Sequence, residues 1–240
     1  MMQKEKEIPS HLRRFTQEDR IEVITEFGEN LAKLVFGGRR LRHHHPVGDV
    51  FHLGIGYYID AKMTGSNSSI RIPESQLIKH YDQGGRHGHA YAFIPYSNLD
   101  KHHKAQINKL VKGPKGLVRF LARRSKKVFL IDTTILLALY EKLGAQTYRM
   151  RGGYHSKFRP RQLCFAVRRK ILESIASGDE VVLSKFDITK DSYNFETSTK
   201  LVMVGPYRVK LLVHKVLLKK EVLDDSFDVT TFQGKDDPSI

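Results

Sequence analysis

Three rhythms of apolar and polar residues run along the chain. In "TQEDRIEVITEFGENLAKLVFGG" (16–38), Ile24, Phe27, Leu31, Leu34 and Val35 recur at helical spacing. Thr16 and Asp19 have the spacing of a capping box and Gly37-Gly38 supplies a stop, so the segment predicts a helix. "DVFHLGIGYYID" (49–60) instead sets two short apolar runs about a pair of glycines, the form of a β-hairpin. "RIPESQLIKHYDQGG" predicts a second helix with Pro73 in its first turn, followed by a strand at "HAYAFIPY" and a helix at "NLDKHHKAQINKLVKG". Further on, "LVRFLARR" predicts a short basic amphipathic helix, "KVFLID" a buried strand and "TTILLALYEKLG" a helix. A loop over 145–161, a helix over 160–176 and a strand at "EVVLSKF" come next. The strands "TKLVMV" and "YRVKLLVHKVLL" then pair about Gly205-Pro206.

The hairpin carries a geometric consequence. With a two-residue type II′ turn at Gly54-Ile55, Leu53 pairs with Gly56, His52 with Tyr57, Phe51 with Tyr58 and Val50 with Ile59. Asp49 then stands opposite Asp60, and Lys62 lies two residues on along the same face. A turn one residue longer or shorter would send the two aspartates to opposite faces. Two carboxylates and a lysine in one patch suit phosphodiester hydrolysis. Hard oxygen ligands hold Mg²⁺ or Mn²⁺, and a neighbouring lysine orients or deprotonates water and steadies charge on the phosphate. The plain alternative is that both aspartates merely end solvated strands.

Charge sharpens the choice. The formal net charge is +15, and residues 101–170 hold 19 Lys/Arg against two acids, leaving the rest of the chain slightly acidic. One strongly basic section points to a polyanion, and nucleic acid is the expected one. Candidate phosphate contacts are Arg39, Arg40, Arg42 and His44 in "RRLRHHHP", Arg119, Arg123, Arg124 and Lys126 around "RFLARRSKK", Arg149, Arg151, Arg159 and Arg161 in the loop "YRMRGGYHSKFRPR", and Arg168 and Arg169. Solvated helix faces and a long surface loop are the alternative for these. Consecutive histidines without a Cys-x-x-Cys do not make a zinc site, and no GxxxxGK[ST] is present. Cys164, the single cysteine, sits in an apolar pattern and reads as a core thiol; with no partner thiol, no intrachain disulfide forms.

The order of an acid-bearing helix, a basic loop, "GD", a hairpin, "DAK", a helix beginning "IPESQL" and an apolar strand resembles the core of the PD-(D/E)xK nuclease superfamily. The likeness is to its Holliday-junction-resolvase-like and restriction-endonuclease-like branches and covers about residues 16–97. Gly48 stands where the family often has proline. The resemblance implies that Asp49 and Asp60 bind the metal and that Lys62 is the catalytic lysine. It further implies an acid on the first helix, for which Glu26 and Glu29 are candidates although both lie away from the apolar face. Gln76 becomes a candidate for orienting the lysine or a water.

The expected fold is therefore α/β, a restriction-endonuclease-like mixed sheet flanked by helices with a basic α+β C-terminal elaboration. Residues 1–15 form a mobile basic arm, 16–100 the nuclease core, 101–221 a basic nucleic-acid-binding region continuous with the core or separate from it, and 222–240 an acidic tail. The expected function is Mg²⁺- or Mn²⁺-dependent DNA endonuclease action, junction-resolving or otherwise structure-selective, by a homodimer. A type II restriction-like endonuclease is the alternative within that class. A non-catalytic basic nucleic-acid-binding protein, ribosomal-like or phage structural, is the alternative outside it. The first residues lack the apolar core of a secretory signal and no run is long enough to span a bilayer, so a prokaryotic or viral-host cytoplasm is expected, with no membrane partner.

Overall fold

The structure, a computed structural model, describes residues 15–42, 45–52, 54–65, 69–84, 87–96, 113–148 and 162–219. The first helix, α1 (Gln17–Phe36), starts with the capping box expected of it. The Asp19 N–H donates to Thr16 Oγ1 at 3.2 Å and the Thr16 N–H to Asp19 Oδ2 at 2.7 Å. It ends at Gly37, whose N–H donates to the Lys33 carbonyl. Phe27, Leu31, Ala32, Val35 and Phe36 are buried, whereas Leu34 lies at the rim of that arc and is 44% exposed.

The chain then lays down β1 (Arg39–Arg40), β2 (Val50–His52), β3 (Tyr57–Gly65), β4 (Ile70–Pro73), α2 (Glu74–Gly84) and β5 (Gly88–Tyr96). After these come α3 (Pro114–Arg124), β6 (Lys127–Asp132), α4 (Thr133–Leu143), β7 (Ala145–Tyr148) and β8 (Gln162–Val167). The last elements are α5 (Arg169–Ala176), α6 (Glu180–Lys185), a 3₁₀ turn at Lys190–Ser192, β9 (Tyr193–Val204) and β10 (Tyr207–Leu218).

Seven strands form one mixed sheet in the order β1-β2-β3-β5-β6-β10-β9. The pairs β3/β5 and β6/β10 are parallel and the rest antiparallel. Strands from before residue 100 and after residue 126 thus share one hydrogen-bonded ladder. α1 and α3 pack with one face of this sheet; α2, α4, α5 and α6 pack with the other. β5 is buried on both faces, and its central residues Ala90 to Ile94 are each fully covered. The α/β class and the flanked mixed sheet are as expected.

A second sheet, β4-β8-β7, was not expected. "QLCFAV" is a strand rather than the start of a helix: Cys164, Phe165 and Val167 are buried while Leu163 is 50% exposed. "AQTY" pairs with it in place of a loop, and "IRIP" pairs on its other side. "EVVLSKF" is helical because Asp179 caps it, accepting from the N–H groups of Val181 and Val182 at 3.1 and 3.3 Å. The capping side chain outweighs the β preference of a Val-Val pair. The arm, the predicted helix at "NLDKHHKAQINKLVKG", most of the arginine-rich loop and the acidic tail lie outside the described residues. Among the described residues no helix is long and apolar enough to cross a membrane.

Candidate functional site

The β2–β3 register is the one the hairpin argument required: Val50 faces Ile59, Phe51 faces Tyr58 and His52 faces Tyr57. The turn itself is wider. The Gly56 N–H donates to the His52 carbonyl at 2.9 Å, and the positive φ falls on Gly56 (67°), so four residues rather than two cross between the strands. Widening by one residue on each side leaves the register unchanged. Beyond Val50 the ladder bends. The Asp49 N–H donates to the Ile59 carbonyl, the Asp49 carbonyl accepts from Leu41, and Asp49 Oδ2 accepts from the Ala61 N–H at 2.8 Å. The Asp49 carboxylate is thereby drawn across toward β3. Gly48, just before it, has φ 155° and lies against the Ile59 backbone. Proline, fixed near φ −65°, cannot take that conformation.

Asp60 is 4% exposed and points to the α2 side of the sheet. Its Oδ2 accepts from Lys62 Nζ at 2.9 Å and from Gln76 Nε2 at 3.0 Å, and His80 Nδ1 lies 3.7 Å away. Gln76 and His80 reach it together because they are four residues apart on α2 and share one face of that helix. Lys62 Nζ also sits 5.9 Å above the Tyr91 ring, so its charge is held between a carboxylate and an aromatic face.

The two aspartates titrate in opposite directions. Burial, reinforced by the negative charge and hydrogen bond of Asp60 and by the charge of Glu29, pushes Asp49 up to about 8; the Ala61 N–H opposes this. Burial alone would raise Asp60 as well, but the Lys62 charge and hydrogen bonds from Asp49 and Lys62 hold it below its ordinary value. At neutral pH the pair therefore keeps a proton that a divalent cation would displace. Mg²⁺ is commonly held by one or two carboxylates with waters and substrate oxygens, and the two aspartates supply that donor set. Among the described residues, no group of three or more His, Cys, Asp or Glu side chains is placed to hold a metal.

Behind Asp60 lies a second layer, of buried rings. The Tyr91 hydroxyl hydrogen-bonds His80 Nδ1 at 2.9 Å, the His80 and His89 rings stand 4.3 Å apart, and His89 Nδ1 hydrogen-bonds Thr133 Oγ1 at 2.7 Å. Backbone groups of Pro46 and Val47, in the loop that delivers Asp49, favour the charged forms of His80 and His89 respectively. Burial dominates nonetheless, pushing His80 down to about 4 and His89 down to about 3. Gln76 was singled out in the sequence, and His80 at i+4 on the same helix face was the signal available for this layer.

These shifts have a sign. Below about pH 6.5 the unfolded chain binds protons that folded His80 and His89 refuse, so their stabilising effect is complete above 6.5 and fades toward 4 and 3. Asp49 acts oppositely: folded, it holds a proton up to about 8 that the unfolded chain releases near 4, so its effect fades as pH rises between them. In EDTA the melting temperature is expected to peak near pH 6.5. Added Mg²⁺ should lift the alkaline limb, and His89→Gln should flatten the acid one. Thermal melts at half-unit pH steps read all three.

The remaining candidates are more scattered. Glu29 is 8% exposed and ion-paired to Arg40, with Oε2 to Nη2 at 2.5 Å; its charge is felt at Asp49. Glu26 lines an open cleft beside α1 with Glu29 and Arg40. Arg40 has an intramolecular role, holding Glu29 and Asn30, whereas Arg39 and Arg42 are exposed. Arg119, Arg123, Arg124 and Lys126 are exposed on or just after α3, a helix on the opposite face of the sheet from Asp60. Arg168 is exposed, and Arg169 hydrogen-bonds Glu173. His44, Arg149, Arg151, Arg159 and Arg161 lie outside the described residues.

Comparison of the chain with protein-family models, with curated proteins and with solved structures found no match.

Proposed function

We propose that the chain is a Mg²⁺- or Mn²⁺-dependent DNA endonuclease built on a restriction-endonuclease-like core and selective for DNA structure. The observation that carries this reading is the convergence of Asp49, Asp60, Lys62 and Gln76 at the point where β2 and β3 part. The order α1-β2-β3-α2-β5 around the β4 excursion supports it, being the order of elements on which the resemblance rests.

Asp49 and Asp60 would hold the cation. A bound cation of this kind neutralises the scissile phosphate and lowers the pKa of water, which is the chemistry hydrolysis needs. Lys62 lies beside Asp60 with its side chain 27% exposed, so it can turn toward a phosphate oxygen or the attacking water. Gln76 donates to the same Asp60 oxygen as Lys62, which fixes the carboxylate while Lys62 moves. Two copies acting as a homodimer would cut two strands.

The test is a cleavage panel of supercoiled, linear, single-stranded and four-way branched DNA, each with Mg²⁺, Mn²⁺ or EDTA. Cutting is expected with either metal, none in EDTA, and branched or single-stranded DNA is expected to be cut before linear duplex. Wild-type protein that cuts nothing under any condition ends the nuclease reading. Sequence-restricted cutting of linear duplex would favour the restriction-type alternative.

A further inference from the structure

We propose that Phe51, Tyr58, His45 and His87 form a stacking platform for an unpaired nucleobase next to the phosphate held at Asp49 and Asp60. The inference rests on the nuclease reading of that pair for its placement, and on the rings for its chemistry.

Phe51 and Tyr58 are cross-strand partners, and Arg39 on β1 faces Phe51, so the three share one row across the β1-β2-β3 end of the sheet. Asp60 lies two residues along from Tyr58, on the same face and about 6.7 Å further on, a distance on the scale of one nucleotide step. The rings of Phe51 and Tyr58 are 4.7 Å apart; His87 meets them edge-on at 5.2 and 5.8 Å, and His45 stacks on Tyr58 with planes 17° apart. Four rings therefore converge within one residue pair of the carboxylates.

Their surroundings separate them from core aromatics. Tyr91 and Phe93, on the same face of the sheet, are fully buried in the apolar cluster under α2 and α4. Phe51 and Tyr58 belong to neither apolar cluster; they and His45 are half-buried, and His87 is exposed. Cross-strand aromatic pairs do stabilise hairpins, but that alone does not call for two histidines from separate loops to gather on the pair. Arg39 is exposed and has no ion pair among the described residues, so it is available to a flanking phosphate.

A ring platform beside a phosphodiester site selects substrate by shape. Bases inside a duplex have both faces covered by their neighbours, and an unpaired or splayed base offers a free one. The site would accordingly favour DNA in which the nucleotide beside the scissile bond is unpaired, as at a branch point, a flap or a single-stranded stretch. It would do so without reading base edges.

The test keeps binding apart from cleavage. In EDTA, an oligonucleotide carrying 2-aminopurine in a single-stranded segment is titrated with wild type, Tyr58→Leu, Phe51→Leu and Tyr58→Phe, with melting curves recorded for each. Wild type and Tyr58→Phe should quench the fluorescence. The leucine variants, which keep apolar contact in the hairpin, should lose the quench and bind the single strand roughly 5- to 100-fold more weakly. Their loss on a fully paired duplex should be much smaller. Equal quenching and affinity for the well-folded leucine variants overturns the platform, even if the enzyme cuts. Ring-dependent quenching by a protein that never cuts keeps the platform and removes the nuclease reading instead.

Discussion

Asp60→Asn should lower divalent-dependent cleavage by a factor of about 10³ or more, the scale of losing roughly 4 kcal/mol of transition-state stabilisation. Asparagine keeps the shape and one acceptor oxygen for Gln76, so the α2 contact survives. It removes the negative charge that holds Lys62 at 2.9 Å and that contributes to pushing Asp49 up. Asp49 should then ionise at lower pH and gain a charge, yet without a second carboxylate it offers Mn²⁺ a single anionic donor. Lys62→Ala makes the informative comparison: cleavage should fall as far, while Mn²⁺ binding by calorimetry is retained. Asp60→Asn should lose both. DNA affinity in EDTA should persist in each variant, because phosphate contacts by exposed arginines do not pass through the pair. Either variant cutting at the wild-type rate would remove the assignment of these residues.

The second large effect concerns folding. Asp132, at the end of β6, is 3% exposed and accepts four hydrogen bonds: from the Tyr57 hydroxyl at 2.6 Å, the Thr134 hydroxyl and N–H at 2.7 and 2.9 Å, and the Leu218 N–H at 3.2 Å. Tyr57 reaches it only because Gly88 lies between them: a Cβ at Gly88 would stand 2.3 Å from the Tyr57 ring. The carboxyl thus ties the start of β3, the cap of α4 and the last residue of β10. Burial pushes its pKa up, and the four donors oppose that rise. Asp132→Ala leaves those donors without their acceptor in a closed interior, and about 3–5 kcal/mol of stability should be lost. Urea unfolding measures it. A loss below about 1 kcal/mol would mean that water or relaxation satisfies the stranded groups, and that the tie is dispensable.

Comparing sequence with structure, the chain was most legible where chemistry and periodicity agree over a short span. The Thr16–Asp19 cap and the β2–β3 register follow from contacts within a dozen residues, and the strand "KVFLID" from its unbroken apolar run. Even an incorrect turn type left Asp49 and Asp60 together, because register tolerates symmetric widening. Long-range choices were less legible. "QLCFAV" pairs with two strands, one of them more than 90 residues earlier at "IRIP", and packs Phe165 and Val167 with α2 and α4. No local pattern announces that pairing. The sequence brought Asp49, Asp60 and Lys62 to one patch, and the structure also places them together, while His80, His89 and Tyr91 remained hidden. Buried histidines are ordinary residues until the strand and helix that carry them are brought face to face.

The position of β6 between β5 and β10 has a consequence for synthesis. As the chain emerges, β6 can pair with β5 at once, but its other edge waits for Leu212 to Val216, 85 residues later. Parallel pairing over that separation is slow, and the waiting edge belongs to a strand buried along its length. Lys126 and Lys127 before its apolar run and Asp132 after it bracket the run with charge, the residue types that discourage another chain from adding there. The half-made protein is therefore most vulnerable to aggregation between the release of α4 and the arrival of β10. Growth temperature and translation speed should affect the yield of soluble protein through that interval more than through the stability of the finished fold.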